Sequence, residues 1–218
     1  MTKEQVCALI KEVGIIPAVR VSSNEDAHFA TEAVASAGIP IVEITMTVPH
    51  ACELISHLVH DHKDIVVGAG TVLDIEVARQ CEDSGASFIT APGFDPEIVA
   101  FAVKENLAVL PGALTPTEIV RAWKCGADFV KVFPCSQVGG EKYIKALKTA
   151  LPQISLIAAG GVNQLNAANL IVAGADAIGV GTELIPADAI RLRKPDRIRE
   201  LSQRFAGFVK EGRERLQS

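Results

Sequence analysis

The sequence predicts an α/β fold: a single (β/α)8 barrel with an extra helix at its N-terminus. Three observations point there. Strand and helix signals alternate along the whole chain, giving eight strands and no intervening linker. The stretches "SAGIPIVEI", "DSGASFIT", "KCGADFVKV" and "VAGADAIGV" share one form: a helix end, a glycine, a short link, then a strand. The strands are short and apolar, as in a parallel sheet covered on both faces. An open doubly wound sheet is the alternative arrangement of the same units.

The elements follow in order. Residues 2–12 form the extra helix, and strands are expected near 15–19, 41–45, 65–69, 88–91, 107–110, 128–133, 154–158 and 176–180. Helix starts are expected at Asn24, at Asp95-Pro96, at Thr115-Pro116-Thr117-Glu118 and at Asn163. The third of these carries a capping box with proline at the first helical position. After Asn24, residues Ala27, Ala30, Val34 and Ala37 make one apolar stripe at helical spacing. Gly38, Gly85, Gly126 and Gly174 stand just past helix ends, where a left-handed residue closes the last turn. From Pro195 onward, Ile198, Leu201, Phe205 and Phe208 mark a last barrel helix with a charged, solvated outer face. With 218 residues, the chain is expected to be one domain over 1–218.

Composition narrows the function. The formal charge of −5 offers no basic excess for nucleic acid. No apolar run is long enough to span a bilayer, and the N-terminus lacks the apolar core of a signal peptide. Five scattered cysteines read as reduced thiols in a cytoplasmic protein rather than as a disulfide framework. Neither nucleic acid nor a membrane is therefore the expected partner.

Two charged residues sit where the pattern wants apolar ones. Lys131 lies among Phe129, Val130, Val132 and Phe133, and Glu43 among Ile41, Val42 and Ile44. Both fall near the C-terminal ends of even-numbered strands, and alternate strands supply one layer of a barrel interior. A buried Lys–Glu ion pair seldom adds stability over an apolar replacement, so a purely structural role is the costlier explanation. The chemical one uses both groups. An unprotonated lysine attacks a ketone to form a Schiff base, and a nearby carboxylate moves the proton that C–C cleavage requires.

Glycine pairs form a second constellation. "AAGGVN" ends the seventh strand and "GVGTEL" ends the eighth. Backbone N–H groups free of side-chain bulk make an anion site, and the loops after these two strands commonly bind phosphate in such barrels.

The stretches "PAVR", "VEITMTVPHA", "VGAGTVL", "APGFD", "PGALTPTE", "VKVFP", "AAGGV" and "GVGTELIP" run in order through most of the chain. Together they resemble the 2-keto-3-deoxy-6-phosphogluconate (KDPG) and 4-hydroxy-2-oxoglutarate (KHG) aldolases. The resemblance implies a TIM-barrel class I aldolase, a homotrimer without a cofactor. Its reaction would reversibly cleave KDPG to pyruvate and glyceraldehyde 3-phosphate, and often 4-hydroxy-2-oxoglutarate to pyruvate and glyoxylate. It makes Lys131 the Schiff-base lysine and Glu43 the general acid/base. It assigns Thr71, Pro92 and Phe133 to the pyruvate pocket, and Gly160, Gly161, Gly181 and the Thr182 hydroxyl to the phosphate end.

Two positions depart from some members. Thr47 stands where an arginine holds the pyruvate carboxylate, and a threonine cannot make that charged bidentate contact. Arg20, at the end of the first strand, is expected to supply the charge instead. Ala159 replaces a threonine before the glycine pair. The galactonate epimer (KDPGal) and a non-catalytic phosphometabolite-binding barrel stay open as alternatives, as does an epimerase or synthase on a related barrel.

Other features are set aside. His57, His60 and His62 invite a metal reading, but they close a helix at the barrel end away from the chemistry, so no metal site is expected. Cys135 has no histidine nearby in sequence and is read as a wall residue.

Overall fold

The computed structural model describes residues 1–217. Nine parallel strand segments form one sheet: β1 (Ile15–Val19), β2 (Ile41–Thr45), β3 (Val66–Gly70), β4 (Phe88–Thr90), β5 (Ala108–Leu110), β6 (Gly112–Ala113), β7 (Val130–Val132), β8 (Leu156–Ala159) and β9 (Ala177–Val180). Their order is β5-β4-β3-β2-β1-β9-β8-β7-β6. The two end segments are halves of one strand, parted only by Pro111. A proline has no N–H for the ladder, which is why the strand is interrupted there. Its carbonyl still accepts from Lys131 N–H at 2.9 Å, and Val109 O accepts from Asp128 N–H at 3.1 Å. The expected fifth strand therefore runs past residue 110 to Ala113, and the ring of eight strands closes through it.

The helices α1 (Lys3–Val13), α2 (Asn24–Ala35), α3 (Ala51–Asp61), α4 (Ile75–Asp83), α5 (Pro96–Lys104), α6 (Pro116–Lys124), α7 (Glu141–Ala150), α8 (Ala167–Val172), α9 (Ala187–Arg191) and α10 (Pro195–Gln217) surround the ring. The capping box at Thr115 forms with Glu118, and Asp95 caps α5. Gly38, Gly85, Gly126 and Gly174 all have positive φ.

One helix start differs from expectation. Helix α2 begins at Asn24 as expected, with Ser23 as its cap; Ser23 Oγ accepts from Asp26 N–H at 3.2 Å. Asn163 does not open a helix. Its Oδ1 accepts from Leu165 N–H and its own N–H donates to Asn166 Oδ1, so side chains take the hydrogen bonds a helix would use. Helix α8 begins only at Ala167.

Helix α1 closes the end opposite the site. Its Thr2–Gln5 capping box starts it and Gly14, at φ 69°, stops it directly before β1. Val6 and Ile10 are buried, Lys3 pairs with Asp128 at 3.0 Å, and the Lys11 ammonium lies 5.6 Å from the Phe129 ring centre. The arginines of α10 mostly pair with acids on the same helix, as Arg197 and Arg204 do with Glu200 and Arg199 with Asp196. Such exposed pairs contribute little, which suits a solvated outer face. Inside the barrel, the ring of Phe88 fills the space beside Gly68, where a Cβ would collide with it.

Candidate active site

A cavity of about 320 Å³ opens at the C-terminal ends of β1, β2, β7, β8 and β9. Its floor carries Glu43 and Lys131, from opposite sides of the ring. Lys131 Nζ lies 3.5 Å from Glu43 Oε2. Glu43 is 4% exposed, so its carboxylate needs partners. One is Thr90, at the end of β4: its Oγ1 donates to Glu43 Oε2 at 2.8 Å and accepts from Lys131 Nζ at 3.2 Å. The Phe133 ring forms a wall, its centre 5.8 Å from Lys131 Nζ. Beyond it the chain turns through a cis Phe133–Pro134 bond.

Arg20 lines the cavity from the end of β1. It is exposed and makes no ion pair or hydrogen bond within the described residues. Arg20 and Lys131 are the cationic side chains on this lining. Thr47 is not on it. Thr45 Oγ1 donates its proton to Val19 O at 3.1 Å, so the Thr47 hydroxyl, 2.7 Å away, donates to Thr45. Thr71 and Pro92 are also absent from the lining. They follow β3 and β4, whereas the cavity lies over the other side of the ring.

The far end is built from Gly160, Gly161, Gly181 and Thr182, all on the lining. Gly160 and Gly161 have φ of 82° and 78°, a conformation that costs glycine little. Among the described residues, the N–H groups of Gly161, Val162 and Thr182 donate to no protein acceptor. The Gly161 carbonyl is held by Ser136 Oγ at 2.8 Å and Asn166 Nδ2 at 2.9 Å, which fixes the turn. Ala159 lines the cavity below, and Glu183 adds a carboxylate to the same end.

Sequence reasoning missed Thr90 and Glu183. The signal for Thr90 was available: "SFIT" ends in a polar residue at a strand end. Cys135 is buried off the cavity, and burial, reinforced by Glu141, pushes its thiol up to about 11. No group of three or more His, Cys, Asp or Glu among the described residues is placed to hold a metal ion. No described helix is long and apolar enough to cross a membrane.

The family model "KDPG and KHG aldolase" matches residues 6–201. The 2-dehydro-3-deoxy-phosphogluconate aldolase of Treponema pallidum (strain Nichols) is 31% identical over 92% of this chain and 95% of its own. The 2-dehydro-3-deoxy-6-phosphogalactonate aldolase of Escherichia coli (strain K12) is 35% identical over 93% of this chain and 96% of its own. A solved KDPG aldolase from Legionella pneumophila, with pyruvate captured at low pH as a covalent carbinolamine intermediate, superposes with a TM-score of 0.84. It is 27% identical and covers 90% of this chain and 96% of that one.

Proposed function

The chain belongs to the KDPG and KHG aldolase family and is an aldolase, and from that premise we propose that it cleaves KDPG through a Schiff base on Lys131. The observation that carries this reading is the Lys131–Glu43 pair, 3.5 Å apart on the floor of the cavity. The Lys131 amine adds to the C2 ketone, and loss of water leaves a protonated imine. A base, Glu43 directly or through a water, takes the C4 hydroxyl proton. The C3–C4 bond then breaks, its electron pair enters the enamine, and glyceraldehyde 3-phosphate leaves as the aldehyde. Protonation at C3 and hydrolysis of the imine release pyruvate and restore the lysine. The covalent carbinolamine in the Legionella relative is the kind of intermediate this route passes through.

Arg20 neutralises the pyruvate carboxylate in this reading, and Phe133 packs on its methyl side. Thr71 and Pro92 are not on the cavity lining; in this reading they contribute to the pyruvate pocket from the ends of β3 and β4. The free N–H groups of Gly161, Val162 and Thr182 receive the phosphate, with Gly160 and Gly181 giving it room. The same chemistry extends to 4-hydroxy-2-oxoglutarate. The galactonate epimer is a second reading, favoured by the 35% identity to the phosphogalactonate enzyme. A single domain over residues 1–218, a homotrimer and a cytoplasmic location complete the proposal. Five free thiols suit that compartment.

The test is incubation with pyruvate and borohydride, followed by peptide mass spectrometry. An adduct on Lys131 is expected; none, or one on Lys142 or Lys145, overturns the assignment. Turnover of the two epimers, measured side by side, decides between them. Sedimentation equilibrium should give three times the chain mass.

A further inference from the structure

We infer that Thr90 is a catalytic residue of this site: it relays the proton that Lys131 must lose before it can attack. The inference rests on the Schiff-base reading above. Thr90 is 1% exposed, so no bulk water competes for its hydroxyl. An ammonium is a donor only, and a carboxylate an acceptor only. Between the two, the single hydroxyl proton has one direction: Thr90 accepts from Lys131 and donates to Glu43. The direct Lys131–Glu43 separation of 3.5 Å is longer than a good hydrogen bond, whereas the steps of 3.2 and 2.8 Å through Thr90 are not.

The transfer balances. One N–H bond of the ammonium breaks, its electron pair stays on Nζ, and the proton joins Thr90 Oγ1. The original Thr90 O–H bond breaks, its pair stays on oxygen, and that proton joins Glu43 Oε2. A charged pair becomes a neutral amine and a carboxylic acid, with threonine regenerated. The amine is then the nucleophile. The acid is placed to protonate the carbinolamine hydroxyl as it leaves as water. The other charged groups on the cavity are Arg20, after β1, and Glu183, after β9; neither has a hydrogen bond to this trio.

The experiment follows the rate of borohydride-trapped pyruvate adduct formation against pH for the wild type, Thr90→Val and Thr90→Ser. Thr90→Val should be slower by about a hundredfold near neutral pH, the usual scale of a lost proton-transfer group. The deficit should shrink at alkaline pH, where hydroxide removes the proton instead, and Thr90→Ser should restore most of the rate. A merely structural role predicts a deficit that is the same at every pH. That outcome, or a Thr90→Val rate equal to wild type, overturns the relay. If Thr90→Val does not fold, Thr90→Ala against Thr90→Ser is read in the same way. A wild type that forms no adduct overturns the Schiff-base reading itself, and the relay with it.

Discussion

Glu43 occupies the space that a side chain on Gly70 would need. The two residues lie on adjacent strands, and a Cβ built on Gly70 falls on the Glu43 carboxyl and Cγ. The backbone of Gly70 is ordinary, with no positive φ, so only space demands a glycine there. Gly70→Ala should therefore push Glu43 away from Thr90 and Lys131 while leaving the barrel intact. Overpacking of this kind costs about 1–3 kcal/mol of stability, and a displaced general base costs about a hundredfold or more in rate. The measurements are thermal unfolding and turnover of the proposed substrate. A cooperative melt with turnover close to wild type would show that Glu43 has room to spare.

The buried Cys135 and the half-buried Cys7 should be chemically quiet. Burial raises Cys135 to about 11, with Glu141 adding to the rise, and burial raises Cys7 to about 11, with Asp128 adding. A raised thiol pKa leaves less thiolate at every pH below it, roughly one part in a thousand at pH 8 for a value near 11. Cys125 is exposed to solvent. Iodoacetamide at pH 8 should label Cys125 first, spare Cys135 and Cys7, and leave aldolase activity in place. Rapid labelling of Cys135 with loss of activity would place it in contact with substrate.

The ends of this site differ in how readable they are. Lys131 and Glu43 stand out because a charge inside an apolar strand demands a reason. Thr90 hides because threonine is an ordinary strand residue, and only its two partners reveal its role. Pro111 reads as a strand end, but the closed ring draws the chain onward to β7 after the interruption. Asn163 has the composition of a helix cap and instead exchanges hydrogen bonds with Asn166 and Leu165. Thr71 and Pro92 belong to matching motifs, yet strand-end position alone does not say which side of the ring encloses the cavity.

Arg20 should replace the missing arginine at position 47. It is the unpaired guanidinium on the cavity, and Thr47 spends its hydroxyl on Thr45. A charge-assisted contact contributes ~1.5–3 kcal/mol, so Arg20→Ala should weaken pyruvate binding by roughly ten- to a hundredfold. Strand β1 pairs with both β2 and β9, so Arg20 stands between the proposed carboxylate end and the proposed phosphate end. Equal losses with phosphorylated and unphosphorylated substrates place it at the carboxylate. A loss confined to phosphorylated substrates would move it to the phosphate.

Glu183 should set how much the enzyme favours a phosphorylated substrate. It shares the lining with Gly161 and Thr182, where the proposed phosphate is held by neutral N–H donors. Neither Arg20 nor Lys131 forms an ion pair with it, so its charge is unmatched by the cavity's own cations. Like charges repel across a few ångströms even in a solvated cleft, and the repulsion weakens as salt is added. Glu183→Gln keeps the shape and removes the charge. It should raise kcat/KM for the phosphorylated substrate by about two- to tenfold, mostly through KM, at the ~1 kcal/mol scale of a solvated charge pair. The unphosphorylated analogue should change little, and the gain should fall as ionic strength rises. An equal change for both substrates, or none for either, would show that Glu183 turns away from the phosphate and that the neutral amides alone decide the preference.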